Sequence, residues 1–153
     1  YANLGGDEVL LDLYCGVGTI GLTMADSVKQ LVGIEIIPQA IENAKINAKL
    51  NDIDNAKFIC ADAPKGAEIL KSEGIKPDVI ILDPPRKGCA PSLFDTVCQM
   101  NPKRIVYVSC DSSTLARDLK ILKEKGYKTK KVSAVDMFPR TPHIEAVALI
   151  EKI

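Results

Sequence analysis

Five short runs of branched and aliphatic residues punctuate the first two thirds of the chain: VLLDLY (9–14), QLVGIE (30–35), AKFIC (56–60), DVIILD (78–83) and RIVYVS (104–109). Their apolarity is nearly continuous rather than alternating. A strand needs that pattern when both of its faces are covered, so the runs predict a mostly parallel sheet between two layers of helix. Segments of helix length lie between them, at 20–26, 38–51, 63–72, 91–100 and 112–125. Pro38 in a first helical turn and Gly126 just past a helix end mark boundaries in the expected asymmetric way. Beyond Gly126, the stretches 127–135 and 145–152 read as two more strands with no helix between them, hence an antiparallel pair closing one edge. The expected fold is an α/β, doubly wound, Rossmann-like domain of about seven strands, the last pair antiparallel, with helices on both faces.

With 153 residues, 46% of them apolar, the chain is long enough for one domain that buries roughly 68 to 70% of its unfolded surface. Residues 1–153 are therefore read as one domain. No apolar stretch approaches the roughly 20 residues of a membrane span, and no basic-then-apolar leader opens the chain. A soluble, cytoplasmic protein is expected. The first residue is Tyr1 rather than Met, which reads as a piece of something longer. Five cysteines at 15, 60, 89, 98 and 110 include no C-x-x-C pair; this argues against a zinc site and a disulfide scaffold and for a reducing compartment. Formal charge is +0, but residues 101–131 hold nine bases (Lys103, Arg104, Arg117, Lys120, Lys123, Lys125, Lys128, Lys130, Lys131) against Asp111, Asp118 and Glu124. That imbalance suits an anionic partner, although a solvated lysine face explains any single lysine equally well.

The segment Asp12-Leu-Tyr-Cys-Gly16-Val-Gly18-Thr-Ile-Gly21 follows the first run and opens the first helix. Glycines there let the chain turn tightly and let a ligand approach the main chain without a Cβ in the way. Gly16-x-Gly18-x-x-Gly21 also fits a dinucleotide fingerprint, a weak signal alone. Asp12 tilts the choice. A carboxylate just before the glycines opposes a pyrophosphate but attracts the ammonium and sulfonium of a methionine-like ligand, so S-adenosylmethionine is expected over NAD. Glu35, twenty-three residues after Asp12, ends the second run, where an acid can accept both hydroxyls of a ribose. Asp62 follows the third run and is placed to meet an adenine amino group; Asp83 ends the fourth and faces the same crevice. Each acid has a plainer reading as a cap or turn residue, Asp62 above all. Tyr14 either packs on the cofactor or belongs to the core.

Asp83-Pro84-Pro85-Arg86 cannot continue a central strand, because each proline lacks a ladder donor. The chain leaves the sheet there in a stiff loop of a kind that also grips planar amines in amine methyltransferases. Cys110 falls at the carboxyl end of the fifth run, just before a helix whose N-terminus favours an anionic thiolate. Cys60 and Cys98 read as small buried hydrophobes, and Arg117 as a phosphate partner or a surface ion pair. Glu145 follows the proline-broken segment Met137-Phe-Pro-Arg-Thr-Pro142 and is a reasonable proton acceptor at the mouth of the sheet, whereas His143 reads as structural. A thiol nucleophile and a carboxylate base are thus available to one substrate.

Together DLYCGVGTIGL, DPPRKG, VSCDSSTLARDL and DMFPRTPHIEAV resemble the RNA uracil-5-methyltransferase family, from about Val9 to the end of the chain. The resemblance implies a methyltransferase domain with Cys110 as nucleophile, Glu145 as general base, and Tyr14, Glu35, Asp62 and Asp83 on the cofactor side, beside Gly16 of the glycine loop. It implies methyl transfer from S-adenosylmethionine to C5 of a uridine in RNA, with 23S ribosomal RNA favoured over transfer RNA, and no metal in this segment. It also implies an upstream RNA-binding barrel and an insert, often bearing iron-sulfur cysteines, neither within this sequence. A nicotinamide oxidoreductase, an amine methyltransferase using the DPPR loop, and a cofactor-binding module without activity of its own are the alternatives.

Overall fold

The computed structural model describes residues 1–137, 139–141 and 144–153; the reading of His143 as structural lies outside them. The strands β1 (Val9–Leu13), β2 (Gln30–Glu35), β3 (Ala56–Cys60), β4 (Val79–Leu82), β5 (Arg104–Ser109), β6 (Tyr127–Val135) and β7 (Glu145–Lys152) form one sheet, in the order β3-β2-β1-β4-β5-β7-β6. The first five are mutually parallel. β7 runs antiparallel to both of its neighbours and enters between β5 and β6. The helices are α1 (Thr19–Leu22), α2 (Pro38–Leu50), α3 (Ala63–Ser72), α4 (Pro91–Met100) and α5 (Ser112–Glu124).

Successive side chains of a strand point to opposite faces, so each apolar run divides itself between two cores. Leu11, Leu13, Ile80, Leu82, Ile105 and Tyr107 pack with Leu70, Phe94, Leu115 and Leu122 of α3, α4 and α5. Leu10, Leu31, Val79, Ile81 and Val106 face the other way, toward Ala25, Ile20 and Leu22. The strand order reverses direction between β1 and β4, and the crevice beyond their carboxyl ends is where open α/β sheets hold ligands.

Several elements are shorter than their patterns predict, β4 among them, which spans Val79–Leu82 rather than 78–83. β1 stops at Leu13 because Tyr14 takes a left-handed conformation, φ 69°, while its amide and that of Cys15 both donate to the Ile34 carbonyl, at 3.0 and 3.1 Å. The segment 20–26 is not one helix: α1 ends at Leu22 and a 3-10 turn spans Ala25–Ser27. The Thr23 hydroxyl donates back to the Ile20 carbonyl at 2.7 Å, a local bond that competes with helix continuation. Cys60 is exposed rather than buried, since β3 is the outer strand of the sheet, and Cys98 is half-buried. Gly126, φ 87°, ends α5 in the left-handed conformation expected after a helix. Among the described residues no helix is long and apolar enough to cross a membrane.

Candidate functional site

The glycine loop after β1 turns through three left-handed positions, Tyr14, Gly16 (φ 53°) and Gly18 (φ 86°). A left-handed tyrosine costs on the order of 1–3 kcal/mol and is found where the surroundings enforce it. Here it brings the half-buried ring to a cavity of about 290 Å³ shared with Leu13, Ile34, Glu35, Asp62, Ala90 and Leu93. Tyr14, Glu35 and Asp62, three residues from three strand ends, thus meet around one space. A larger cleft of about 630 Å³ at the outer edge of β3, between Lys45, Lys57 and Phe58, contains none of the candidate residues.

Each acid of this end is tied to the backbone. Glu35 accepts from the amides of Gly16 (3.2 Å), Ile36 (2.8 Å) and Ile37 (3.1 Å), so it braces the glycine loop while bordering the cavity. Asp62 is the N-cap of α3 and accepts from the Lys65 amide at 2.9 Å, so the plainer reading of that residue holds beside its place in the cavity wall. Asp12 is only 1% exposed. Its Oδ2 accepts from the Gly21 amide at 3.0 Å, whereas Oδ1 is buried without a partner. A side chain at position 21 would place its Cβ 2.9 Å from Leu31 and 3.0 Å from Asp12 Oδ2, so only glycine lets α1 approach this carboxylate. Burial pushes the Asp12 carboxyl from its ordinary 3.8 up to about 7, against the lowering effect of the Gly21 amide, and the negative charges of Asp83 and Glu35 add to the rise.

At the other side of the crevice, β5 and β7 are in register with Ser109 opposite Ala146. Glu145 begins β7 and Cys110 lies one residue past the end of β5, so the two stand at the same end of neighbouring strands, whose spacing in a sheet is about 5 Å. Asp83 completes the group: its carboxyl is raised by burial and then by the charge of Glu145. The turn around Cys110 is held on both sides. The Ser109 hydroxyl donates to the Asp111 carbonyl (2.8 Å), and the Asp111 amide donates to that hydroxyl (3.1 Å). Asp111 is the N-cap of α5 and accepts from the amides of Ser113 (3.0 Å) and Thr114 (2.9 Å). The helix terminus expected to favour a thiolate at Cys110 therefore already carries a carboxylate on its free amides.

Three of the other thiols are shifted away from reactivity. Burial pushes Cys15 up to about 12 and Cys89 up to about 11, and it raises Cys98 as well. Cys60 sits on β3, across the sheet from β7. Among the described residues no cluster of three His, Cys, Asp or Glu side chains is arranged to hold a metal.

The sequence reading missed Asp118, which is fully buried on α5 and accepts from the Tyr107 hydroxyl at 2.6 Å and the Cys89 amide at 2.9 Å. The signal was present: Leu115, Asp118 and Leu122 follow the 3-and-4 spacing of a buried helix face, and an acid there requires partners. Arg117 is not an ordinary surface ion pair, because its guanidinium reaches this buried carboxylate at 2.7 Å.

A family model described as tRNA (Uracil-5-)-methyltransferase matches residues 2–153. An uncharacterized RNA methyltransferase of Clostridium acetobutylicum is 52% identical over 153 residues, 100% of this chain and 33% of the relative. The chain spans about a third of the length of the curated relatives it matches. A solved Pyrococcus abyssi tRNA (uracil-54, C5)-methyltransferase in complex with S-adenosyl-L-homocysteine superposes with a TM-score of 0.80 at 37% identity, covering 96% of this chain and 35% of the other. A precorrin-6y C5,15-methyltransferase of Geobacter metallireducens, 19% identical with a TM-score of 0.82 over 99% of this chain and 84% of that one, shares the fold.

Proposed function

Because the chain belongs to the tRNA (uracil-5-)-methyltransferase family, we propose that it transfers a methyl group from S-adenosylmethionine to C5 of a uridine in structured RNA, through a covalent bond between Cys110 and C6 of the base. The observation that carries this reading is the β5–β7 register, which brings Cys110 and Glu145 to adjacent strand ends beside Asp83. The target is a ribosomal or transfer RNA; the name of the Pyrococcus abyssi relative speaks for transfer RNA, the sequence reading for 23S ribosomal RNA.

The residues fit the cofactor. Asp12 leaves a buried oxygen unpaired, and the negative charges of Glu35 and Asp83 add to its own, so a ligand cation would be favoured here. The ammonium and sulfonium of S-adenosylmethionine supply positive charge where three carboxylates converge. Tyr14, Gly16, Glu35, Asp62 and Asp83 hold the ligand in this reading, and when bound it supplies an electrophilic methyl.

The chain's own side chains do the rest. Uracil C5 is too weakly nucleophilic to take a methyl unaided. The Cys110 thiolate adds to C6, which places negative character on C5. After C5 accepts the methyl, Glu145 removes the remaining C5 proton and the electron pair re-forms the C5–C6 double bond as the thiolate leaves. Sulfur suits both halves of the cycle because it attacks and departs readily. The base has to lie in a loop or be flipped out of its stack, at a cost of roughly a few kcal/mol.

RNA containing 5-fluorouridine tests this directly. Fluorine at C5 leaves Glu145 no proton to remove, so the protein at its full natural length is expected to accumulate a denaturation-resistant protein–RNA adduct with both ribosomal and transfer RNA offered. An active enzyme that forms no adduct would instead be methylating an exocyclic amine through the Asp83 loop.

A second expectation concerns pH. Asp12 is neutral below about 7 and charged above it, and a ligand ammonium favours the charged form. Binding of S-adenosylhomocysteine, measured by calorimetry, is expected to strengthen as pH rises through 7 and to weaken about tenfold per unit below it. Asp12→Asn should flatten the profile. Stability of the free protein carries the opposite sign: the unfolded carboxyl ionises near 3.8, so the folded state binds the extra proton and loses stability as pH climbs from about 4 to 7. A binding profile that is flat, or that falls with pH, would remove Asp12 from the cofactor site.

A further inference from the structure

The helix that starts beside Cys110 also grips the loop that starts at Asp83. The Thr114 hydroxyl donates to the Arg86 carbonyl at 3.1 Å. The Arg117 guanidinium donates to the carbonyls of Lys87 (3.1 Å) and Cys89 (3.2 Å), and its Nε donates to Asp118 Oδ1 at 2.8 Å. Asp118 closes the ring by accepting from the Cys89 amide. Within the loop, the Gly88 amide donates to the Pro85 carbonyl at 2.8 Å. Gly88 is left-handed, φ +71°, and a Cβ there would fall 2.6 Å from the Arg117 guanidinium and 2.7 Å from Asp118 Oδ2. The contact is therefore close enough to exclude any side chain.

Packing alone does not explain this choice. A leucine at 118 would join Leu115 and Leu122 in the core, and replacing a buried ion pair by well-packed apolar residues is often neutral or stabilising. What a leucine cannot do is orient a backbone. Thr114, Arg117 and Asp118 each bond directly to one four-residue stretch, Arg86 to Cys89, which directly follows the Asp83-Pro-Pro segment.

We infer that Thr114, Arg117 and Asp118 are positioning residues: a clamp through which α5 holds the Asp83–Cys89 loop in fixed relation to Cys110, so that thiol and loop meet the substrate as one rigid unit. The inference rests on the reading of Cys110 as the nucleophile. The clamp explains why the TLARD segment sits where it does, with Thr114, Arg117 and Asp118 on successive turns reaching the same loop.

Arg117 is the residue to change first, since its side chain is 48% exposed and packs little into the core; its loss leaves the buried Asp118 carboxylate with the Tyr107 hydroxyl and the Cys89 amide as its partners and so also costs stability. In the protein at its full natural length, Arg117→Ala is expected to lower kcat for uridine methylation by about 10- to 100-fold, the effect of a small misplacement of reacting groups. The Kd for S-adenosylhomocysteine should stay within about twofold. Arg117→Lys keeps the charge but not the planar fork and should recover no more than a small part of the rate. Amide hydrogen exchange at Gly88 and Cys89 is expected to accelerate at least tenfold in both variants. That readout needs no chemistry, so it judges the clamp even if the wild-type protein proves not to methylate uridine. Asp118→Asn, with the shape kept and the charge removed, should speed the same two amides. Unchanged exchange in the Arg117 variants, a kcat within twofold of wild type, or a loss of cofactor affinity in step with kcat would each overturn the clamp.

Discussion

Replacing Cys110 by alanine, in the protein at its full natural length, is expected to reduce uridine methylation by on the order of 10^4-fold or more, as in other enzymes stripped of their nucleophile, while S-adenosylhomocysteine still binds. No neighbour can stand in. Ser109 is buried and its hydroxyl is committed to the Asp111 carbonyl at 2.8 Å. Cys89 is buried behind the loop, its thiol pushed up to about 11. Cys110→Ser should be nearly as inactive, because an alkoxide is neither formed nor expelled as readily as a thiolate. Single-turnover methylation of unmodified RNA is the measurement, and near-normal rates in either variant would end the covalent mechanism.

Glu145→Gln is expected to act later in the cycle. Addition of Cys110 and methylation of C5 do not need the carboxylate, but elimination does, so a methylated protein–RNA adduct should accumulate with ordinary uridine and turnover should fall by about 10^2- to 10^4-fold. Denaturing electrophoresis of the reaction separates this from a binding defect. An inactive variant without an adduct would place Glu145 before addition, as a substrate-positioning group. The same substitution should lower the Asp83 pKa, since Glu145 contributes to its rise; carboxyl titration by NMR reads that shift without RNA.

Much of this molecule was legible in its pattern. The doubly covered strands announced themselves by unbroken apolarity, and β2, β3, β5, β6 and β7 begin and end where the runs do. The segment 20–26 misled because its composition suits a helix, while Gly21 is there to let Asp12 approach and Thr23 bonds its own backbone. Asp62 could be read as a cap or a ligand residue; the fold makes it the N-cap of α3 and sets it in the wall of the cavity. Asp118 was overlooked because its value depends on partners at 86–89 and 107, which no local window contains.

By itself, then, the chain's order of residues settled the alternation of strand and helix, the two-sided burial and the glycine turn after β1, and it named the candidate reactive groups, because these follow from side-chain periodicity and chemistry within a few positions. Only the folded sheet decided who meets whom. β7 slots between β5 and β6, so two residues about thirty-five positions apart become neighbours, and α5 reaches across to grip the loop after β4. Pairing between distant strands is chosen by the burial of whole faces against one another, a global sum to which each local segment contributes but which none contains.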